Sequence, residues 1–208
     1  MINRELYMEQ ITPFIDKPFV KVITGIRRCG KSVVLRLIRE ELLRRGVSED
    51  YIIYMNFESF EWIDMKEAKA LYAHIREATK ASGKYYILLD EIQEVTDCEK
   101  AVNAFLVDLD VDIYVTGSNS RLLSSEFSTY LAGRYVAFHI MTLSFREYLL
   151  FHDLPLTISV SDRKTEFLKY LRMGGFPAIH TANYDYNAIY KIVYDIYSSV
   201  ILRDTVQR

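Results

Sequence analysis

Short apolar runs alternate with longer amphipathic segments along most of the chain, a pattern typical of βα units around a parallel sheet. Runs rich in Ile, Val, Tyr and Phe predict strands over 19–24, 51–57, 85–90, 112–116 and 135–140. Helical periodicity between these runs predicts helices over 31–45, 65–81 and 98–109. We therefore expect an α/β fold, with a parallel five-stranded sheet and helices on both of its faces.

The pattern changes near residue 155, where the segments become helical and rich in tyrosine. Helices are predicted over 164–173 and 186–202, on either side of the turn at residues 174–177, GGFP, because glycine and proline interrupt helices. We expect a core over 1–154 and a small helical appendage over 155–208. Four tyrosines of the last predicted helix fall on one face. An aromatic face can stack on nucleic acid bases, but few basic residues accompany these four, which favours packing against protein. They are Tyr186, Tyr190, Tyr194 and Tyr197.

The most specific motif is GIRRCGKS at residues 25–32, which matches the phosphate-binding pattern G-x-x-x-x-G-K-[ST]. An apolar strand leads into it and an amphipathic helix leaves it, so its backbone amides can surround phosphate at a helix N-terminus. Lys31 is expected to bind the β and γ oxygens, and Ser32 to offer a hydroxyl to Mg²⁺. The predicted nucleotide-binding residues are Gly25, Ile26, Arg27, Arg28, Cys29, Gly30, Lys31, Ser32 and Val33.

Two adjacent carboxylates, Asp90 and Glu91, follow the predicted strand 85–90. Open α/β sheets bind ligands at the carboxyl ends of their strands, so Asp90 is a predicted Mg²⁺ ligand, directly or through water. Glu91 is predicted to polarise the water that attacks the γ-phosphate. The alternative is that the pair caps the next helix. The intervening strand 51–57 and the Asp-Glu pair favour a hydrolysing P-loop protein with an additional strand over nucleotide kinases and GTPases.

Composition limits the other possibilities. The 208 residues carry 26 Lys plus Arg and 28 Asp plus Glu, a net charge of −2 that gives no global attraction to nucleic acid or anionic membrane. The two cysteines form no disulfide framework, and the four histidines show no metal-ligand spacing. The N-terminal residues lack the apolar run of a signal peptide, and no segment is apolar enough to span a membrane. We expect a cytoplasmic protein that does not enter the membrane.

Several segments together resemble the bacterial and archaeal AAA-type ATPases that have a GxRRxGKT/S Walker A motif and a C-terminal domain of unknown function. The segments are GIRRCGKS, YYILLDEIQ, VTGSNSRLLSSE, LAGRYVAFHIMTLSFREYL and GGFP. This resemblance covers essentially the whole chain and implies ATP and Mg²⁺ as ligands, an AAA+-like sheet and a helical lid over 155–208. Members of this kind continue well beyond the lid, so we expect this chain to be the ATPase portion of such a protein.

The resemblance also implies roles for two polar positions. The strand 112–116 is expected to end in a residue that contacts the attacking water or the γ-phosphate, with Ser118 the first choice and Thr116 and Asn119 the alternatives. An ordinary turn would use the same residue types. Arg134 is expected to reach the γ-phosphate of a neighbouring subunit, the alternative being a surface arginine paired with Glu126 or Glu147.

Two functions follow from these expectations. The first is a Mg²⁺-dependent ATPase that uses activated water to switch its lid or an attached domain. The second is a nucleotide-dependent binding module that hydrolyses little or no ATP. DNA is one candidate for what such a module would bind. Glu91 favours the first function. A homo-oligomer or the further C-terminal domain is the expected partner.

Overall fold

A computed structural model describes residues 4–117, 125–182 and 184–206. In this part of the chain, five parallel strands form one sheet in the order β2-β3-β4-β1-β5. The strands are β1 Val20–Thr24, β2 Ile52–Asn56, β3 Tyr85–Asp90, β4 Val111–Gly117 and β5 Tyr135–His139. Each observed strand begins and ends within about one residue of its prediction. The predicted α/β fold with a parallel five-stranded sheet is therefore confirmed.

The strand order places β4 between β1 and β3. The strand that leads into the GIRRCGKS motif and the strand that ends at Asp90 are therefore separated by one further strand. Because all pairings are parallel, the carboxyl ends of β1, β3 and β4 lie along the same edge of the sheet. This topology is the additional-strand arrangement that the sequence predicted.

Helices precede, connect and follow the strands. They are α1 Glu5–Ile11, α2 Lys31–Arg44, α3 Ala68–Ala78, α4 Cys98–Asp108, α5 Ser125–Tyr130, α6 Phe145–Phe151, α7 Val160–Met173 and α8 Tyr186–Val206. Short 3-10 turns occupy Thr12–Phe14, Glu49–Tyr51, Phe60–Met65, Ile92–Glu94 and Pro177–His180. No helix within the described ranges is long and apolar enough to cross a membrane.

The predicted helix 65–81 is too long at both ends. The Thr96 N–H donates to the Lys66 carbonyl at 2.9 Å, and the Ala68 N–H donates to the Thr96 carbonyl at 3.1 Å. These two bonds hold Glu67 in an extended conformation, so α3 begins only at Ala68. A backbone pairing with a residue distant in sequence therefore overrides the local helical pattern. Helices α1, α5 and α6 were not predicted.

The chain divides into two compact units. The sheet unit comprises Glu5–Gly25 and Lys31–His139, and the helical unit comprises Met1–Arg4, Ile26–Gly30 and Ile140–Arg208. In the sheet unit, α3, α4 and α5 cover one face of the sheet with buried apolar side chains, and α2 packs on β3 and β4. The predicted division between 154 and 155 stays a prediction.

The helical unit has a core built around α6 and the turn after α7. Ser144 and Glu147 form a capping box at the start of α6, which satisfies backbone N–H groups that the helix leaves free. The Leu143 N–H donates to the Gly175 carbonyl at 2.7 Å. A Cβ atom on Gly175 would lie 2.5 Å from the Leu143 carbonyl oxygen, so only glycine fits this position of the GGFP turn.

Candidate functional site

The loop Gly25–Gly30 connects β1 to α2 and turns tightly through three residues with positive φ. Gly25 has a φ of 152°, Arg28 a φ of 66° and Gly30 a φ of 105°. The Cys29 N–H donates to the Ile26 carbonyl at 3.3 Å. A residue other than glycine in the left-handed region is uncommon and concentrates at functional sites, where the surrounding structure holds it. Such turns orient successive N–H groups toward a bound anion.

Lys31 is the first residue of α2, and its side chain is buried. Its Nζ donates to the Gly25 carbonyl at 3.4 Å and lies 3.3 Å from Oε1 of Glu91. Both contacts are longer than the usual length of a charge-assisted hydrogen bond. Ser32 and Val33 follow in the first turn of α2, whose N-terminal end carries partial positive charge. The first turn of this helix therefore combines a fixed cation with N–H groups that have no partner within the helix.

Asp90 is the last residue of β3 and is fully buried. Two hydroxyl groups from the neighbouring strands donate to its carboxylate, Tyr54 of β2 at 3.0 Å to Oδ2 and Thr116 of β4 at 2.5 Å to Oδ1. Burial and the adjacent Asp90 charge raise the pKa of Tyr54 well above its ordinary value, which keeps the phenol protonated as a donor. The carboxylate is therefore held in one orientation at the carboxyl edge.

Glu91 adopts a left-handed backbone conformation with a φ of 55°. Its N–H donates to Oγ1 of Thr116 at 2.9 Å, so one hydroxyl group bridges both acidic residues. Its Oε2 accepts a hydrogen bond from Nε2 of Gln93 at 2.5 Å. Within the described residues, the Glu91 side chain makes no capping bond to the turn Ile92–Glu94, so the capping alternative has no support. Its carboxylate is instead directed to Lys31 and Gln93.

The structure thus brings Lys31, Asp90 and Glu91 together, as the sequence predicted, and adds Thr116, Tyr54 and Gln93. Thr116 was an alternative at the sequence level, and its hydroxyl is already engaged by the acidic pair. Tyr54 and Gln93 carried no sequence signal, since a tyrosine in a strand and a glutamine in a turn are ordinary.

The two other predicted catalytic residues are Ser118 and Arg134. Ser118 and Asn119 lie outside the described residues. Arg134 precedes β5, and its carbonyl accepts a hydrogen bond from the Val20 N–H at 2.9 Å. It therefore lies where β1 and β5 begin, at the opposite edge of the sheet from Lys31. Its exposed side chain donates to Oδ1 of Asn103 at 2.8 Å.

In a comparison with protein families, a model described as AAA domain matches residues 17–149. Two curated relatives match the whole chain. An uncharacterized protein of Haemophilus influenzae is 40% identical over 209 residues, and one of Methanocaldococcus jannaschii is 33% identical over 213 residues. The match covers 51% of the first relative and 45% of the second. The chain therefore spans about half the length of these relatives.

Solved structures show the same fold at low sequence identity. AMPPCP-bound DnaA of Aquifex aeolicus is 14% identical with a TM-score of 0.55, over 100% of this chain and 67% of DnaA. The Aeropyrum pernix Orc1 protein in complex with DNA is 17% identical with a TM-score of 0.50, over 80% of this chain and 50% of Orc1. The sheet therefore has the α/β P-loop fold of the AAA+ ATPases.

Proposed function

Because the chain belongs to the AAA domain family, we propose that it binds ATP with Mg²⁺ and hydrolyses it with an activated water. The observation that carries the proposal is the meeting of Lys31 and Glu91 at 3.3 Å, next to the buried Asp90, at the carboxyl edge of the sheet. A cation for phosphate, a carboxylate for a metal and a carboxylate for water are the components of phosphoryl transfer to water.

Lys31 is the proposed cation for the β and γ oxygens of ATP. Its contacts with Gly25 and Glu91 are long, so a phosphate group that accepts shorter bonds competes for the same ammonium group. Binding of ATP would then draw Lys31 away from Glu91. The carboxylate that Lys31 neutralises before binding becomes available as a base when the γ-phosphate is present. This exchange links occupancy of the site to activation of its base.

Mg²⁺ prefers oxygen ligands, and the site supplies two of them in the sheet unit. The carboxylate of Asp90 and the hydroxyl of Ser32 would hold the ion together with the phosphates of ATP. The hydroxyl donors Tyr54 and Thr116 leave the remaining acceptor sites of the Asp90 carboxylate for the ion or its water shell. When bound, Mg²⁺ would neutralise charge on the β and γ oxygens.

Glu91 is the proposed general base. The Glu91 N–H bond to Thr116 and the bond from Gln93 to its carboxylate fix both the backbone and the side chain, which limits the positions that the base can take. Ser118 remains the proposed contact to the attacking water or the γ-phosphate. The segment 155–208 remains the proposed lid that the ATP state switches.

Arg134 is proposed to act on the γ-phosphate of a second subunit. Within its own sheet unit it lies at the edge away from Lys31, and its side chain is exposed, which supports action in trans. Mixing Arg134→Ala with Glu91→Gln tests this, because one mixed interface recovers an intact Glu91 facing an intact Arg134. Activity of the mixture above the sum of the two variants is expected. Additive activity, with specific activity of the parent independent of concentration, would contradict action in trans.

The central experiment measures phosphate release from ATP by the purified chain, with and without Mg²⁺. We expect release that requires Mg²⁺ and is lost in Asp90→Asn, while the exposed Asp195→Asn provides a matched control. Arms with added DNA or RNA test the binding-module alternative, in which nucleotide binds but phosphate is not released. A folded chain to which ATP does not bind in calorimetry would contradict the proposal.

A further inference from the structure

Arg4 is a buried arginine of the helical unit whose guanidinium donates to three separate segments of that unit. Its Nη1 donates to the Cys29 carbonyl in the loop Gly25–Gly30 at 3.1 Å, and its Nη2 donates to the Met141 carbonyl at 2.9 Å. Its Nε forms an ion pair with Oε1 of Glu147 at 2.5 Å. Only 2% of Arg4 is exposed to solvent. A buried charge with these partners holds one geometry, because moving it would leave desolvated groups unpaired.

We propose that Arg4 is a positioning residue for the phosphate-binding loop and sets the affinity of the loop for nucleotide phosphates. This inference rests on the proposed function and names a side chain that the GIRRCGKS motif does not contain. Arg4 acts through the backbone of Cys29 and touches no phosphate itself.

The physical link is the planar peptide between Cys29 and Gly30. In a trans peptide, the carbonyl of one residue and the N–H of the next point in opposite directions. Holding the Cys29 carbonyl against Arg4 therefore turns the Gly30 N–H to the opposite side of that peptide. Gly30 has a φ of 105°, which glycine adopts without strain, and the same freedom lets this peptide rotate unless another group restrains it.

Glu147 provides the charge that makes this restraint stable. Its Oε1 accepts from Arg4, and its Oε2 accepts from both the N–H and the hydroxyl of Ser144, at 2.8 and 2.9 Å. One carboxylate thus completes the capping box of α6 and compensates the buried guanidinium. The phosphate-binding loop and the first turn of α6 are therefore attached to each other through two side chains.

The GGFP turn also approaches the loop. A Cβ atom built on Gly30 would lie 3.3 Å from Nη1 of Arg4 and 3.9 Å from Cγ of Pro177. Arg4 and Pro177 thus both lie close to Gly30, the second glycine of the phosphate-binding motif. Three segments far apart in sequence, namely the N-terminus, the LSFREY segment and the GGFP turn, meet around one loop.

The test is the affinity of Arg4→Met and Arg4→Lys for ATP, ADP and adenosine, measured by calorimetry or displacement on the folded full chain. Arg4→Met keeps the length of the side chain and removes its donors, so we expect the Kd for ATP and ADP to rise by about tenfold to a hundredfold. Arg4→Lys keeps the charge without the fork of donors and should recover part of this loss. Adenosine affinity should not change, because the loop binds phosphate.

Two controls separate positioning from stability. Ser159→Ala removes the N-cap hydroxyl of α7 in the helical unit, and Lys21→Met breaks a buried ion pair of the sheet unit. Both should lower the free energy of unfolding and leave the Kd for ATP unchanged. If Arg4→Met does not fold, Glu147→Gln replaces it, since loss of the carboxylate charge should raise the same Kd.

The outcomes distinguish this inference from the function on which it rests. Weaker phosphate-dependent binding in the Arg4 variants, with unchanged controls, supports the inference. ATP affinity in folded Arg4→Met or Glu147→Gln equal to that of the parent would overturn it and leave the proposed function intact. A parent chain that does not bind ATP would overturn the proposed function, and the inference with it.

Discussion

Two lysine–carboxylate pairs lie at opposite ends of the same sheet, and their surroundings differ. Lys21 and Asp112 pair near the amino ends of β1 and β4, where both are fully buried. Lys21 also donates to the Lys17 carbonyl at 2.9 Å, and Asp112 accepts from the Tyr114 hydroxyl and the Asp16 N–H, each at 2.8 Å. Each charge of this structural pair is therefore surrounded by short bonds.

Lys31 and Glu91, at the carboxyl edge, form a looser pair. Their closest atoms are 3.3 Å apart, and the other contact of Lys31 is 3.4 Å long. Glu91 and Arg28 have left-handed backbone conformations, which cost free energy and persist only where the surrounding structure fixes them. A charge pair with short, complete bonds stabilises the fold, whereas one with long bonds can exchange its partner for a ligand. Bond lengths distinguish the two ends, since Asp16, whose N–H donates to Asp112, also has a left-handed backbone with a φ of 64°.

The largest expected effect is on catalysis at the loose pair. Glu91→Gln keeps the size of the side chain and removes its charge, so turnover of ATP should fall by about 10²–10⁴-fold while ATP still binds. Steady-state phosphate release and calorimetry measure the two quantities. Asp112→Asn is the matched change in the structural pair and should lower stability without changing turnover of the folded protein. Turnover of Glu91→Gln equal to that of the parent would assign the base elsewhere.

The next effect is on stability at the structural pair. Lys21→Met leaves the buried Asp112 charge uncompensated, so the free energy of unfolding should fall by about 3–5 kcal/mol. Denaturant unfolding measures this loss, and the double variant Lys21→Met with Asp112→Asn should recover part of it. A loss below about 1 kcal/mol, the range of exposed pairs, would show that this pair does not stabilise the fold.

A smaller effect is expected on nucleotide affinity at the loose pair. Lys31→Ala removes the cation for the β and γ oxygens, so ATP binding should weaken by about 1.5–3 kcal/mol. Calorimetry with ATP measures the change, and the exposed Lys191→Ala serves as the control. Unchanged ATP affinity in folded Lys31→Ala would remove Lys31 from the proposed site.

The smallest expected effect is a change in the free energy of unfolding at acid pH, near the Lys21–Asp112 pair. Burial raises the pKa of Asp16, but the Tyr86 hydroxyl and Lys84 outweigh it and hold this pKa below its usual value of 3.8. A carboxyl group with a lowered pKa stabilises the fold above its unfolded pKa and loses that contribution as pH falls through the folded pKa. The stability difference between the parent and Asp16→Asn should therefore be present at pH 7 and shrink toward pH 3. Denaturant unfolding at both pH values measures it, and a constant difference would contradict the assignment.

The strands and the central motifs could be predicted because their signals are local. A buried parallel strand appears in the sequence as a continuous apolar run. The phosphate-binding motif GIRRCGKS is a single segment of eight consecutive residues. Asp90 and Glu91 could be placed beside Lys31 because the parallel topology brings the ends of β1 and β3 to one edge. The contact between Lys31 and Glu91 follows from that topology.

Other parts of the site depend on contacts between distant residues, which a single sequence does not encode visibly. Arg4 and Glu147 are 143 residues apart, and nothing in either local segment indicates the other. Tyr54 reaches Asp90 only because β2 pairs with β3 in one register. Helix α6 did have a local signal, since Ser144 and Glu147 match the S-x-x-E capping box.

The position of Arg4 also bears on how fragments of such proteins should be cut for expression. The recognised domain spans residues 17–149, so a fragment trimmed to that range keeps GIRRCGKS, Asp90 and Glu91 and discards Arg4. It also discards Pro177 and the buried Ile11 of α1. We expect such a fragment to carry the phosphate-binding motif and both acidic residues and yet to bind nucleotide more weakly than the full chain. Truncation series that begin before Arg4 and end after the GGFP turn would preserve the loop in its natural frame.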